Sequence, residues 1–191
     1  MTAIHHNAQR DVDTNAADQP TTTAYRVLAV LRVAFGLTFL WAFFDKTFAL
    51  GFHTGYDQAG TLDRYGDAAW INGGSPTEGF LAFGADGPFK GFYNDIAGAA
   101  WADWLFMLGL LGIGIALTCG AGMRIAATAG ALMYILMWSV VLPPENHPFL
   151  DEHVLGALTI AVLGLYHAGD TWGLGHRMAK LSLVQRHPVL R

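Results

Sequence analysis

The chain has 191 residues, 53% of them hydrophobic and only 14% charged, with a mean hydropathy of +0.34 and a formal net charge of −4. Water-soluble domains run nearer ~25% charged, so the composition excludes an ordinary soluble domain and points to one small polytopic membrane domain without a second core. The single cysteine, Cys119, excludes an intrachain disulfide and a Cys-x-x-Cys redox pair, and no basic tract suggests nucleic acid.

Residues 1–23 are polar and hold no apolar run, so they read as a disordered tail and not as a cleaved signal peptide. The first membrane span is expected from about Tyr25 to Leu50, with Thr23 as its cap. Arg32 lies about two turns into it. A charge at that depth needs a reason: either its stem snorkels to the interface or it has a functional partner. Asp45 and Lys46, near the other end, read as interface anchors or as members of a cross-helix ion pair, Lys46 with Asp151 or Glu152.

From about Gly51 to Ala100 the chain is rich in glycine and aromatic residues, among them Trp70, Phe80, Phe83, Phe92 and Tyr93. A disordered linker does not hold so many rings, so this insert is expected to form a structured cap at the membrane interface. Within it, Ser75-Pro76-Thr77-Glu78 is a capping box that predicts a short helix ending near Gly84.

Further spans are expected from about Trp101 to Cys119, from Arg124 to Leu142, closed by Pro143-Pro144, and from Glu152 to Trp172. Each approaches the ~20 residues that cross a hydrocarbon core. Small residues recur at four-residue spacing, as in Gly112, Ala116 and Gly120, a pattern that lets helices approach closely in lipid. Residues 176–191 read as a basic tail. The expected fold is an all-α membrane protein. A four-transmembrane-helix bundle spans residues 24–175, with the glycine- and aromatic-rich insert (about 51–100) between helices 1 and 2.

Charge bias orients it. With both termini inside, Arg10, Arg26, Arg124, Arg177, Lys180, Arg186 and Arg191 lie on the inner face, and only Lys46, Arg64 and Lys90 on the outer one. The positive-inside rule then places both termini in the cytoplasm and the insert outside a cell membrane.

The polar segment Pro143-Pro144-Glu145-Asn146-His147-Pro148-Phe149-Leu150-Asp151-Glu152-His153 joins two strongly apolar stretches. A plain turn does not need five ionisable groups. Pro148 and Asp151 suit a helix start, where the aspartate accepts backbone N–H bonds, and Glu152 complements the helix dipole. An imidazole in the first turn of a membrane helix, His153, needs a polar partner or a ligand. Glu145, His147 and His153 do not form a specific metal pattern, and no metal is expected. His153 and His167 share one face of the expected last span. A haem bound between two helices of this chain needs matching histidines that the other spans lack, which leaves only a five-coordinate haem or one shared with a partner chain. A quinone ring fits better. It asks for an aromatic-walled cleft with hydrogen-bond donors, which His153, Lys46 and Trp138 are placed to provide, with Tyr134, Met133 and Met137 along the same span.

The layout of a first span with Arg32, Gly36 and Lys46, an insert containing Trp70-Ile71-Asn72-Gly73-Gly74-Ser75-Pro76, and Pro-Glu-Asn-His-Pro-Phe-Leu-Asp-Glu-His before the last span resembles the DoxX/DoxD family of four-helix membrane proteins. It resembles especially the longer members described as thiosulfate:quinone oxidoreductase subunits. The resemblance covers about residues 25–175. It implies an integral membrane subunit of a quinone-linked redox system, oxidising thiosulfate or a related sulfur compound, with quinone as substrate. Lys46, His147 and His153 would contact the anion or quinone, and Glu145 or Glu152 would accept protons beside His153. Expected partners are the lipid bilayer, a further redox subunit and a second copy of the chain. Other members of the family look like non-catalytic membrane anchors for a soluble oxidoreductase complex, which is the alternative reading.

Overall fold

A computed structural model describes residues 22–56 and 59–190. The expected N-terminal tail lies outside the described residues except for Thr22 and Thr23. These already belong to the first helix, α1 (Thr22–Phe48), so Thr23 sits within its first turn and does not cap it. Short helices α2 (Glu78–Phe83) and α3 (Lys90–Ile96) follow, then α4 (Ala100–Cys119), α5 (Met123–Val140) and α6 (Glu152–Leu165), and finally the single turns α7 (Gly175–Met178) and α8 (Ser182–Arg186). The described residues form no extended sheet; one antiparallel bridge pairs Tyr56 with Leu62.

Three helices, α1, α4 and α5, are long and apolar enough to cross a membrane, and α6 is a shorter apolar helix. In chain order α1 packs on α4, α4 on α5 and α5 on α6, and α6 returns to touch α1. Their shared core is built from Phe39, Met107, Leu110, Ile113, Leu117, Met123, Ile160 and Leu163. The outward faces carry Val30, Leu37, Leu105, Leu108, Leu132, Leu136 and Leu158, all exposed, while Arg32, Asp45, Thr47 and Asp103 are buried. That distribution is inverted relative to a protein in water. It suits a hydrocarbon solvent, which tolerates exposed leucine and penalises exposed charge.

Close helix approaches depend on glycines, and of the stripe anticipated on α4 only Gly120 is one of them. Gly112 faces open space, whereas a Cβ at Gly36 lies 2.4 Å from Thr118 Oγ1 and one at Gly114 lies 2.8 Å from Leu40 Cγ. The α1–α4 seam therefore runs through Gly36 and Gly114. Leu110, Ile113 and Leu117 carry the rest of the buried face of α4.

Arg32 is the most heavily bonded side chain in the core and is fully buried. It does not snorkel. Its Nε donates to the Ala168 carbonyl at 3.1 Å, Nη1 to the carbonyls of Leu117 and Thr118 (the latter at 2.9 Å), and Nη2 to those of Thr171 at 3.4 Å and Trp172 at 3.1 Å. The last carbonyls of any helix lack intrahelical donors, and here one guanidinium supplies them for α4 and for the chain just past α6. This explains why the last span differs from the sequence expectation. Helix α6 ends at Leu165 and not near Trp172. Residues 166–172 turn, with His167 and Trp172 at positive φ, so that their carbonyls converge on Arg32. Small residues make room: a Cβ at Gly120 lies 2.8 Å from Arg32 Nη1 and 3.0 Å from Gly169 Cα, on a backbone with φ of +67°.

The segment between α1 and α4 is folded and held at three points. Asp45 Oδ1 and Oδ2 accept the N–H groups of Phe52 (3.1 Å) and His53 (2.9 Å), which fixes the turn leaving α1. Asp103, in the first turn of α4, accepts from Ser75 Oγ at 2.8 Å, Thr77 Oγ1 at 2.6 Å and Thr77 N at 3.2 Å. Ser75 Oγ in turn accepts the N–H of Glu78, which starts α2, and α2 ends against Gly84. At the end of α5, Leu81, Ala85 and Tyr93 bury against Val140, and the Tyr93 and Ser139 hydroxyls bond.

Two outcomes are expected. Arg32→Leu strands five backbone carbonyls and lowers stability in detergent by about 3 kcal/mol or more, and Arg32→Lys restores only part because an ammonium has fewer donors in a tighter head. Thermal melting of the solubilised protein measures both. Asp103→Ala, losing three accepted bonds, costs about 1–3 kcal/mol and raises amide exchange at Ser75–Glu78 while leaving α1 protected.

Candidate functional site

The polar segment lies at the end of the molecule opposite Arg32, between the C-terminus of α5 and the N-terminus of α6. Its residues separate into those bound into the fold and those left in solvent. Asp151 is the N-cap of α6: Oδ1 accepts the N–H groups of His153 at 3.0 Å and Val154 at 3.1 Å. Its second oxygen, Oδ2, meets His153 Nδ1 at 2.7 Å. The two side chains are only 9% and 12% exposed. A carboxylate can only accept, so Nδ1 carries the proton of this contact. Nε2 is left as the working nitrogen, and no described residue bonds it. The imidazole stands edge-on to the Tyr134 ring, with centroids 6.2 Å apart.

Tyr134 is itself wedged between Phe35 and Phe39 of α1, at 6.3 and 5.6 Å, over Gly156 of α6, where a Cβ would lie 2.8 Å from its Cζ. His153 is thus held by a carboxylate on one side and by an aromatic cluster shared by α1, α5 and α6 on the other. An imidazole oriented through Nδ1 by a carboxylate, with Nε2 free, is the arrangement that general acid–base chemistry uses.

The other expected site residues behave differently. Trp138 Nε1 donates to the Phe149 carbonyl at 3.0 Å, so its N–H is spent on the loop and is not offered to a ligand. His147 is exposed, and its Nδ1 accepts the N–H groups of Phe149 at 3.1 Å and Leu150 at 3.0 Å, closing its own turn. Glu145 and Glu152 are exposed. Lys46 is partly buried on α1 and forms no ion pair with Asp151 or Glu152, so the cross-helix pair anticipated from depth is not made. The neighbour carboxylate along its chain, Asp45, is turned to the backbone of Phe52 and His53. His167 does not share a helix face with His153. It follows α6 at positive φ and lies 3.4 Å from Arg124 Nη2.

Asp151, Glu152 and His153 do bring possible ligand atoms within 4.8 Å of one another. Both oxygens of Asp151 and Nδ1 of His153 are already engaged in the cap and the pair. A cation at Oδ2 and Nδ1 would have to displace the Asp151–His153 contact.

Two residues were not singled out from sequence. Asp103 has a weak sequence signal, its place in the first turn of a helix just after a glycine-rich segment. Tyr134 was grouped with the span lining, although its spacing of four from Trp138 puts both on one face of α5. Beside Asp103 an open cleft of about 430 Å³ is lined by Trp70, Gly74, Ser75, Glu78, Asp103 and Trp104. The two indoles meet edge to face with centroids 4.8 Å apart.

Burial by itself would push the Asp151 carboxyl up. The bonds from the His153 ring and from the Val154 and His153 N–H groups, with the imidazolium charge, outweigh it and hold the group below the ordinary aspartate value. A depressed folded-state value stabilises above the unfolded value of about 4, and that contribution is lost as pH falls through the lowered value. Wild type is therefore expected to melt above Asp151→Asn at neutral pH, with the gap closing as the pH drops below about 4. Paired melting curves across pH 3–7 check this.

Comparison with family models, with curated proteins and with solved structures returns no match, so function is read from the chemistry of these residues.

Proposed function

We propose that the chain is a four-span membrane subunit of a quinone-linked redox system. Both termini are cytoplasmic, and the Asp151–His153 pair is the proton-handling group at its outer face. The observation that carries this reading is the pair itself: an imidazole held at 2.7 Å by a mostly buried carboxylate, against Tyr134, at the mouth of apolar helices. Quinone reduction takes two electrons and two protons, and the reduced ring leaves as a quinol. A protonated Nε2 delivers the first proton to a quinone oxygen, is reprotonated by water-derived protons that Glu145 or Glu152 accept and pass on, and then delivers the second. Asp151 keeps the ring in the tautomer that allows this. The electrons come from a reduced sulfur anion of the thiosulfate class: two thiosulfates couple through sulfur to tetrathionate and release two electrons. Lys46 is the cation placed nearest this end of α1 for such an anion. The resemblance to DoxX/DoxD proteins supports the same assignment.

Membrane placement draws support from the three long apolar helices and from the exposed leucines around buried polar groups. Helix α6 has 14 residues, about 21 Å at 1.5 Å per residue. The turn after it, tied to Arg32, completes the crossing. A second reading, a non-catalytic scaffold that docks a soluble oxidoreductase, is favoured by the exposed rings of Phe52, Tyr65, Phe83 and Phe92 on the segment before α4.

Purified protein in lipid, given thiosulfate and a soluble quinone, is expected to form quinol. His153→Ala should lower turnover by about 100-fold or more, the usual weight of a general acid, in a variant that still folds with only a modest drop in melting temperature. Absent quinol formation by wild type, with capture of a soluble oxidoreductase, the scaffold reading replaces it.

A further inference from the structure

The sequence beyond α6 reads as a basic tail, yet it is folded back onto the Arg32 end. Leu174 N donates to the Cys119 carbonyl at 2.9 Å and Gly175 N to that of Gly169 at 3.0 Å. Val184 is buried, and Arg124 Nη1, from the start of α5, donates to the Pro188 carbonyl at 3.3 Å. The segment therefore lies at the level where α4 and α6 end and α1 and α5 begin, which is the boundary of the bilayer if those helices span it. Its surface is of two kinds. Arg177, Lys180 and Arg186 are exposed. So are Leu181, Leu183 and Val189, each by more than half: 54%, 60% and 57%. Arg26 at the start of α1 adds a further exposed cation there, and the only acid among the described residues of this end is Asp170.

Exposed leucines beside lysine and arginine are costly in water and favourable at a membrane surface, where apolar groups enter the acyl boundary and cations meet headgroup phosphates. We infer that residues 175–190 form an interfacial foot that binds anionic phospholipid headgroups of the same membrane, through Arg177, Lys180 and Arg186, with Leu181, Leu183 and Val189 as its apolar contact. The charge excess selects a phosphate-bearing anionic lipid over a zwitterionic one. The inference rests on the membrane placement proposed above and not on the redox chemistry.

The test uses the full chain in nanodiscs of phosphatidylcholine alone or mixed with phosphatidylglycerol, read by amide hydrogen exchange over residues 175–190 and by retention of phosphatidylglycerol in native mass spectra. Protection of the segment is expected to rise about tenfold or more with phosphatidylglycerol at low salt and to fall away at high salt. Each cation removed should weaken retention about fivefold, so that R177Q/K180Q/R186Q loses on the order of a hundredfold, whereas R177K/R186K retains binding. Equal protection in both bilayers overturns the inference, as does unchanged retention in the triple variant. If the same three cations instead capture a soluble protein while lipid type makes no difference, the foot is a protein-docking surface. A chain that fails to enter either nanodisc fails on membrane placement itself, which separates that outcome from equal protection in both.

Discussion

The fold depends first on how one buried guanidinium meets five backbone carbonyls. Helices that end inside an apolar environment leave carbonyls without donors, and each such group is costly there. Arg32 resolves this for two elements at once, because its planar head offers donors in several directions and stays charged. The bonds also tie three parts of the chain that are remote in sequence: α1, the end of α4 and the turn after α6. Removing either set of carbonyls leaves the guanidinium only partly compensated, so the arrangement acts as a unit. It also accounts for Gly120 and Gly169 at this point, since any larger residue would occupy the space of the guanidinium or of the partner backbone.

The opposite end uses the complementary chemistry. There α4 and α6 begin, and their free N–H groups and positive dipole ends call for anions. Asp103 and Asp151 stand in the first turn and at the cap of these helices. Asp151 accepts the N–H groups of its own helix, whereas Asp103 reaches back to Ser75 and Thr77 and so ties the preceding segment to α4. Asp45 does the same for the turn leaving α1. A cation gathering carbonyls at one end and carboxylates gathering N–H groups at the other agree in sign with the dipoles of α4 and α6. Neither end needs a cross-helix ion pair, which is the physical reason Lys46 has none with Asp151 or Glu152.

What was legible in the sequence followed from period and punctuation. The helices around Trp101–Cys119 and Arg124–Leu142 were bounded within a residue or two, because glycine and proline mark their ends. Ser75 and Glu78 announced α2 by their capping pattern, of which the Glu78 N–H to Ser75 Oγ bond is present, although the helix begins at Glu78. The end of α6 was not legible. Residues 166–171 are already polar and glycine-containing, but what fixes the stop is tertiary: the carbonyls of Ala168, Thr171 and Trp172 accept from a residue more than 130 positions earlier. The partner of Arg32 was hidden for a related reason: carbonyls carry no residue letter, so a search for an opposite charge finds nothing. In the polar segment the ionisable residues were visible, but their division was not. Asp151 and His153 turn inward together, His147 and Trp138 are consumed by the loop, and Glu145 and Glu152 remain in solvent.

That division bears on whether the His153 end is a reactive site or only a helix start. A cap needs one carboxylate oxygen, and Asp151 uses Oδ1 for it. If capping were the whole purpose, Oδ2 would be free to face water, and any small polar residue at position 153 would serve. Instead Oδ2 holds an imidazole whose other face meets Tyr134, and Tyr134 is itself seated by two phenylalanines and a glycine that admits its ring. Ordering a ring from both sides costs side-chain entropy. The pair does two things at once: it adds to the stability of the start of α6 and it holds Nε2 in one direction, the geometry on which the proposed proton transfer rests.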